Sequence, residues 1–218
     1  MKNLKLYKKI AMLGTTGLIT LTSLNGCNKQ LIDFNKSFNI VVEKNFDNVS
    51  VVGISQYCDY NNSQIQFVTE DGLLVLSSTS QTQLLKCKDE VAINNYVESL
   101  VDDQENIVFY DQLANTSIDY SFNICNKNIM NLNYFYNKAI ILSDGIATIV
   151  ELDTWKDYKK DDKIKIKLQD GTCILTNSDK IKLINDVNAN EDSLKNYALS
   201  LVGSDDKIIY YDTKINTK

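Results

Sequence analysis

The chain has 218 residues with 23 Lys and Arg against 28 Asp and Glu, and its 23 basic residues are all Lys, with no Arg, His or Pro. Without His the Ser-His-Asp and Cys-His arrangements and the usual zinc sites are excluded, and without Arg there is no planar fork to clamp a carboxylate or phosphate. The net charge of −5 disfavours nucleic acid as a partner.

Residues 1–27 run from a basic end with Lys2, Lys5, Lys8 and Lys9 into the apolar and small-residue stretch "IAMLGTTGLITLTSL" and then "NGC". This is the layout of an export signal, and about 15 residues is shorter than the ~20 a stable spanning helix needs. "LNGC", with Gly26 directly before Cys27, resembles the lipobox of bacterial lipoproteins. The resemblance implies that the Cys27 sulfur receives a diacylglyceryl group and that cleavage makes Cys27 the new N-terminus. It further implies a protein held to the cell membrane through acyl chains and facing outside the cytoplasm. A secretory peptide that contains a cysteine, or a short uncleaved anchor, are the alternatives. Removing residues 1–26 takes away four Lys and no acid, leaving 19 Lys against 28 acids, a formal charge of −9.

Residues 27–37 read as a tether. After them "NIVVE" and "VSVVGISQY" predict two strands, and "QIQFV" and "LLVLS" predict a hairpin about Asp71-Gly72, a pair suited to a type I′ turn. A short apolar segment "QLLK" follows, then an amphipathic helix with Ile93, Tyr96, Val97, Leu100 and Val101 on one stripe. Asp89 and Glu90 favour its start. "NIVFYD" closes the unit as a strand.

Residues 112–135 join this unit to a second run of the same signals. "IDYSFNI" at 118–124 is similar to "IDFNKSFNI" at 32–40. "KAIIL" and "IATIVELDTW" predict strands. "KIKIKL" alternates strictly, so Ile164, Ile166 and Leu168 face a core while Lys163, Lys165 and Lys167 face water. Asp170-Gly171 predicts the next hairpin turn, with "CILTN" returning. "KLIN" precedes a helix with Leu194, Tyr197, Ala198, Leu201 and Val202 on its stripe and Gly203 as its stop. "KIIYYD" ends the pattern.

The parallel is also one of identity. Residues 90–111 laid on 191–212 agree at 9 of 22 positions, including Tyr110/Tyr211 and Asp111/Asp212, and upstream Asp71-Gly72 meets Asp170-Gly171 at a shift of 99. Matches in constant order with drifting shifts predict an α+β fold of two tandem copies of a mostly antiparallel sheet unit, each with one helix before its last strand. The boundaries are 38–112 for the first copy and 113–218 for the second, which carries an extra N-terminal segment.

Four cysteines follow Cys27. Cys58, Cys87, Cys125 and Cys173 form no CxxC pair and suggest no metal or redox motif. A Cys58–Cys87 bridge is conceivable in an exported protein, but small buried thiols are the preferred reading. The acidic clusters "VDDQE" and "KKDDK" lack the spacing of a calcium loop, so no metal and no cofactor is expected.

The candidate binding residues are Tyr57, Tyr60, Trp155 and Tyr158, where "YCDY" and "WKDY" repeat an aromatic residue beside Asp-Tyr. Flat apolar rings with a polar edge suit a protein, peptide or glycan ligand. The same residues read also as an Asp capping a turn between two strands beside rings packed on the sheet, and duplicated positions are more often structural than functional. No catalytic residue is assigned. The composition favours a non-enzymatic binding or interaction module, with a structural part of an envelope complex or a carboxylate-dependent hydrolase of surface polymers as alternatives.

Overall fold

The computed structural model describes residues 38–87, 89–103, 106–115, 136–158 and 160–211. The signal segment, Cys27, Cys125 and residues 118–124 lie outside them. Among the described residues twelve strands join in one sheet, mostly antiparallel, with three α-helices.

The first seven elements are β1 (Ile40–Asn45), β2 (Asn48–Asn61), β3 (Gln64–Thr69), β4 (Leu74–Ser78), β5 (Thr82–Leu85), α1 (Glu90–Glu98) and β6 (Ile107–Phe109). The short α2 (Tyr110–Ala114) follows. β1 pairs antiparallel with β2 and with β5, β2 with β3, and β3 with β4, while β6 pairs parallel to β2.

Downstream come β7 (Lys138–Ser143), β8 (Ile146–Tyr158), β9 (Lys163–Leu168), β10 (Cys173–Asn177), β11 (Ile181–Asn185), α3 (Ser193–Val202) and β12 (Ile208–Tyr210). β7 pairs antiparallel with β8 and β11, β8 with β9 and β9 with β10; β12 runs parallel to β8. The two runs meet where β11 pairs antiparallel with β4, giving the order β10-β9-β8-β7-β11-β4-β3-β2-β1-β5.

Alternation in the sequence becomes alternation in burial at β9, where Ile164, Ile166 and Leu168 are buried and the three lysines exposed. The matching strand β3 is buried at all six positions, because both of its faces are covered. One face carries Ile65 and Phe67 into a cluster with α3; the other carries Val68 into a cluster with Val150, Leu152, Ile166 and Leu183.

The helices divide in the same way. α1 buries only Ile93 and Val97, against Ile40, Val42, Val49 and Val51. α3 buries Leu194, Tyr197, Ala198, Leu201 and Val202 together with Ser193 and Ser200, in one core with Val41, Val52 and Phe67 upstream and Ile140, Ala147 and Ile149 downstream. At about 1.5–3 kcal/mol for each large apolar side chain, α3 is one apolar link between the two runs, and the cluster of Val68, Leu74 and Leu76 with Val150, Leu152 and Leu183 is another.

A buried ion pair adds a polar link. Lys182 on β11 and Glu43 on β1 are both 0% exposed and lie 3.0 Å apart. Lys182 Nζ also donates to Ser77 Oγ at 2.7 Å and Gln81 Oε1 at 3.2 Å, and Tyr197 donates to Glu43 Oε2 at 2.5 Å.

Several local expectations are corrected. The turns at Asp71-Gly72 and Asp170-Gly171 are not type I′: only the glycines have positive φ, 94° and 88°. Gly72 N–H bonds Thr69 O and Thr69 N–H bonds Leu73 O, with the same pattern at Gly171 and Leu168, so each is a three-residue loop with the glycine at a left-handed bulge. The pair with both φ positive is Asp144-Gly145, between β7 and β8.

The strand expected over "NIVFYD" stops at Phe109, and Tyr110 opens α2. Leu100 and Val101 lie beyond α1, which ends at the cap Ser99. Asp89 does cap α1, accepting from Val91 N–H, and Gly203 does stop α3, at φ 75°. Cys58, Cys87 and Cys173 are free thiols, so Cys58 and Cys87 form no bridge; Cys58 is buried as expected, whereas Cys173 is exposed on β10.

Candidate functional site

Two places gather polar or aromatic groups at the surface. The first grows from the β3–β4 turn. Gly72 places it so close to the loop before α3 that an added Cβ would meet Asn188 O at 2.6 Å. Asp71 is thereby held against the start of α3. Its Oδ2 accepts from Tyr110 hydroxyl at 2.6 Å and from Ser193 Oγ at 2.5 Å, and its Oδ1 accepts from the Thr69 hydroxyl. Burial, with the Asp71 hydrogen bond and charge, pushes the Tyr110 phenol well above its ordinary value.

A cavity of about 300 Å³ opens beside this carboxylate, lined among others by Asn115, Asn190, Glu191, Asp192 and Asn196. Its mouth is acidic and polar. The Asp71 carboxylate is occupied by three hydroxyls, and that arrangement ties the hairpin to α2 and α3. The downstream run has a matching contact, in which Tyr211 hydroxyl donates to Asp170 Oδ2 at 3.0 Å. Sequence comparison singles out all four residues as repeated but does not reveal that they bond in pairs.

The second place lies where the far ends of β2 and β8 approach. Trp155 stands edge-on to Tyr136 with ring centroids 5.4 Å apart, and Tyr60 is tilted against Trp155 at 6.3 Å. Asn61 Nδ2 donates to Asp157 Oδ2 at 3.1 Å beside them. Burial and the Asp157 charge raise the Tyr60 phenol. Tyr60 and Trp155 are partly exposed while Tyr136 is buried, so the cluster meets solvent at Tyr60 and Trp155 beside the polar Asn61 and Asp157.

Of the four predicted residues, then, the structure brings Tyr60 and Trp155 together. Tyr57 is 7% exposed and packs edge-on against Phe38 at 5.5 Å, on the core side. Tyr158 lies further along β8, with Lys156 Nζ 5.1 Å from its ring centre. Sequence reasoning missed Tyr136, which accepts a hydrogen bond from Gln66 Nε2. Its only signal is the aromatic run "YFY" just before β7.

Cys58, behind this cluster, has its thiol pushed up to about 12 by burial and by Asp59, so it is protonated at neutral pH. Among the described residues no group of three or more His, Cys, Asp or Glu is arranged to hold a metal ion, and no helix is long and apolar enough to cross a membrane. No protein-family model matches the chain, and no curated protein is significantly similar to it.

Proposed function

We propose that this is a lipoprotein anchored through Cys27 to the cell membrane, facing outside the cytoplasm, and built from two tandem copies of one α+β unit. It acts as a non-enzymatic module that binds a protein, peptide or glycan at the Tyr60–Trp155–Tyr136 cluster. Anchorage rests on the lysines, the short apolar stretch and "LNGC" of residues 1–27. Two acyl chains give stable attachment where one gives marginal binding.

The tandem reading is supported by the same order of pairings in both runs, down to the last strand lying parallel to the second. It is supported also by the paired hydrogen bonds Tyr110–Asp71 and Tyr211–Asp170, which join residues that correspond in sequence. The single observation that carries the binding reading is the polar-rimmed ring cluster, which contains the only Trp of the chain.

Two measurements test the proposal. Intact mass of the protein from its host should give a chain beginning at Cys27 with added lipid; an unmodified Cys27 or a retained Met1 rejects the anchor. Trp155 is the sole tryptophan, so its emission reports the cluster directly. Solubilised cell-wall glycan fragments and peptides from surface proteins are titrated against it. A saturable change that Trp155→Phe with Tyr60→Ala weakens at least tenfold, read by calorimetry, supports the reading. No saturable response to either class rejects it.

A second reading, a carboxylate-dependent hydrolase of surface polymers, is favoured by the cavity beside Asp71 with Glu191 and Asp192 on its rim. Release of reducing ends from a surface polymer, abolished by Glu191→Gln with Asp192→Asn, would replace the binding reading with this one.

A further inference from the structure

The two ends of the sheet are unlike each other, and each has a counterpart inside the chain. Among the described residues β10 pairs with β9 alone and β5 with β1 alone. β10 contains no Lys, Pro or bulge, the usual devices that blunt an edge, and its Leu175 is 58% exposed. In the upstream run the strand in the same place is β4, and its edge is covered by β11 in the register Leu76↔Leu183, Val75↔Ile184, Leu74↔Asn185. Leu76 and Leu183 are thereby buried to 1% and 0% exposure.

We propose that the free edge of β10 pairs with the free edge of β5 on a second copy of this chain. The pairing is head to tail, in the antiparallel register Leu175↔Leu84, Ile174↔Leu85, Cys173↔Lys86. The register follows by moving the β4–β11 pairs along the sequence by 99 residues, and it therefore rests on the tandem reading.

The same template selects the partner. β11, which covers β4, has β5 as its counterpart, and within one chain β5 stands at the opposite end of the sheet from β10, so a second copy supplies it. In this register Lys86 lies on the face of Lys163, Lys165 and Lys167, and α1 packs on the other face with Leu85. Each copy has one edge of each kind, so the contact is heterologous and extends to a ring or a row.

The test uses the full chain in membranes of its host. Lys86→Cys is combined with Cys87→Ser and Cys125→Ser, leaving Cys173 in place, and a mild oxidant is added before a non-reducing gel. More than half of the chain is expected in dimers and higher species that vanish on reduction or on Cys173→Ser.

Leu74→Cys with Asn185→Cys, in a chain lacking Cys87, Cys125 and Cys173, gives the internal control and should close within one molecule. If it closes while Lys86→Cys stays monomeric with both thiols open to maleimide, the intermolecular pairing is wrong and the tandem reading stands. If the internal pair itself fails to close, the β4–β11 register from which the intermolecular one is copied falls, and the proposal falls with it. If Leu175→Cys in the Cys173→Ser chain links to itself, the edge pairs symmetrically and the proposal is overturned.

Discussion

Replacing Lys182 by Met keeps the length of the side chain and removes its ammonium group from a site with 0% exposure. Glu43 would keep its hydrogen bonds from Tyr197, Ser77 and Thr82 but lose the ammonium charge that compensates its own. Ser77 Oγ and Gln81 Oε1 would each lose a donor as well. Breaking one side of a buried pair costs about 3–5 kcal/mol, a large share of the ~5–15 kcal/mol by which domains are stable.

With a urea dependence of about 2 kcal/mol per molar, the unfolding midpoint of Lys182→Met should fall by about 2 M. Near-UV circular dichroism reads the transition. Adding Glu43→Gln to Lys182→Met removes the stranded charge, so the double variant should be less damaged than the two single costs added together, by about 1–3 kcal/mol. A midpoint shift under about 0.5 M for Lys182→Met, or strict additivity, refutes the reasoning, because either means that the pair is not held out of water.

Gly72→Ala and Gly171→Ala carry the same left-handed strain, but only the former drives a Cβ to 2.6 Å from a backbone oxygen; nothing lies within 4 Å at Gly171. Gly72→Ala should therefore cost at least about 1 kcal/mol more in thermal unfolding, and equal losses would refute the close packing of the first hairpin on the loop before α3.

At pH 8 a disulfide reagent should modify Cys173 and leave Cys58 protected until the protein unfolds, since the Cys58 thiol is buried with its pKa about 12. Equal rates would contradict that burial.

Burial and the carboxylates of Asp71 and Glu43 raise the phenols of Tyr110 and Tyr197. A raised folded value stabilises the fold fully below the unfolded value near ~10, and that contribution is lost as pH climbs above it. Phenolate absorbance should accordingly show two tyrosines ionising only with the unfolding transition; smooth titration of every tyrosine in the folded protein would refute it.

The hairpins, the stop of α3 and the face of β9 were legible because each depends on a few adjacent residues. "KIKIKL" carries its own period of two, and Gly203 supplies the left-handed residue at the end of α3. The turn type at Asp71-Gly72 was not legible, since Asp-Gly suits both a two-residue loop and a bulged three-residue loop, and the pairing of Thr69 with Leu73 decides between them. The ring cluster was half legible. Tyr60 and Trp155 stand out in the sequence, but Tyr136 joins them only because β7, β8 and the end of β2 come together in space.

Taken alone, the sequence determined the alternation of strands and helices, their repeated order and the absence of imidazole and guanidinium chemistry. Those properties depend on residue identity and on short periods along the chain. Only the tertiary structure decided that α3 is buried against both runs while α1 is buried on one, that Glu43 and Lys182 neutralise each other out of water, and that Asp71 and Asp170 each bond a distant tyrosine. Burial and pairing across 39 to 139 residues depend on which surfaces meet, and no local pattern encodes which distant surfaces will cover each other.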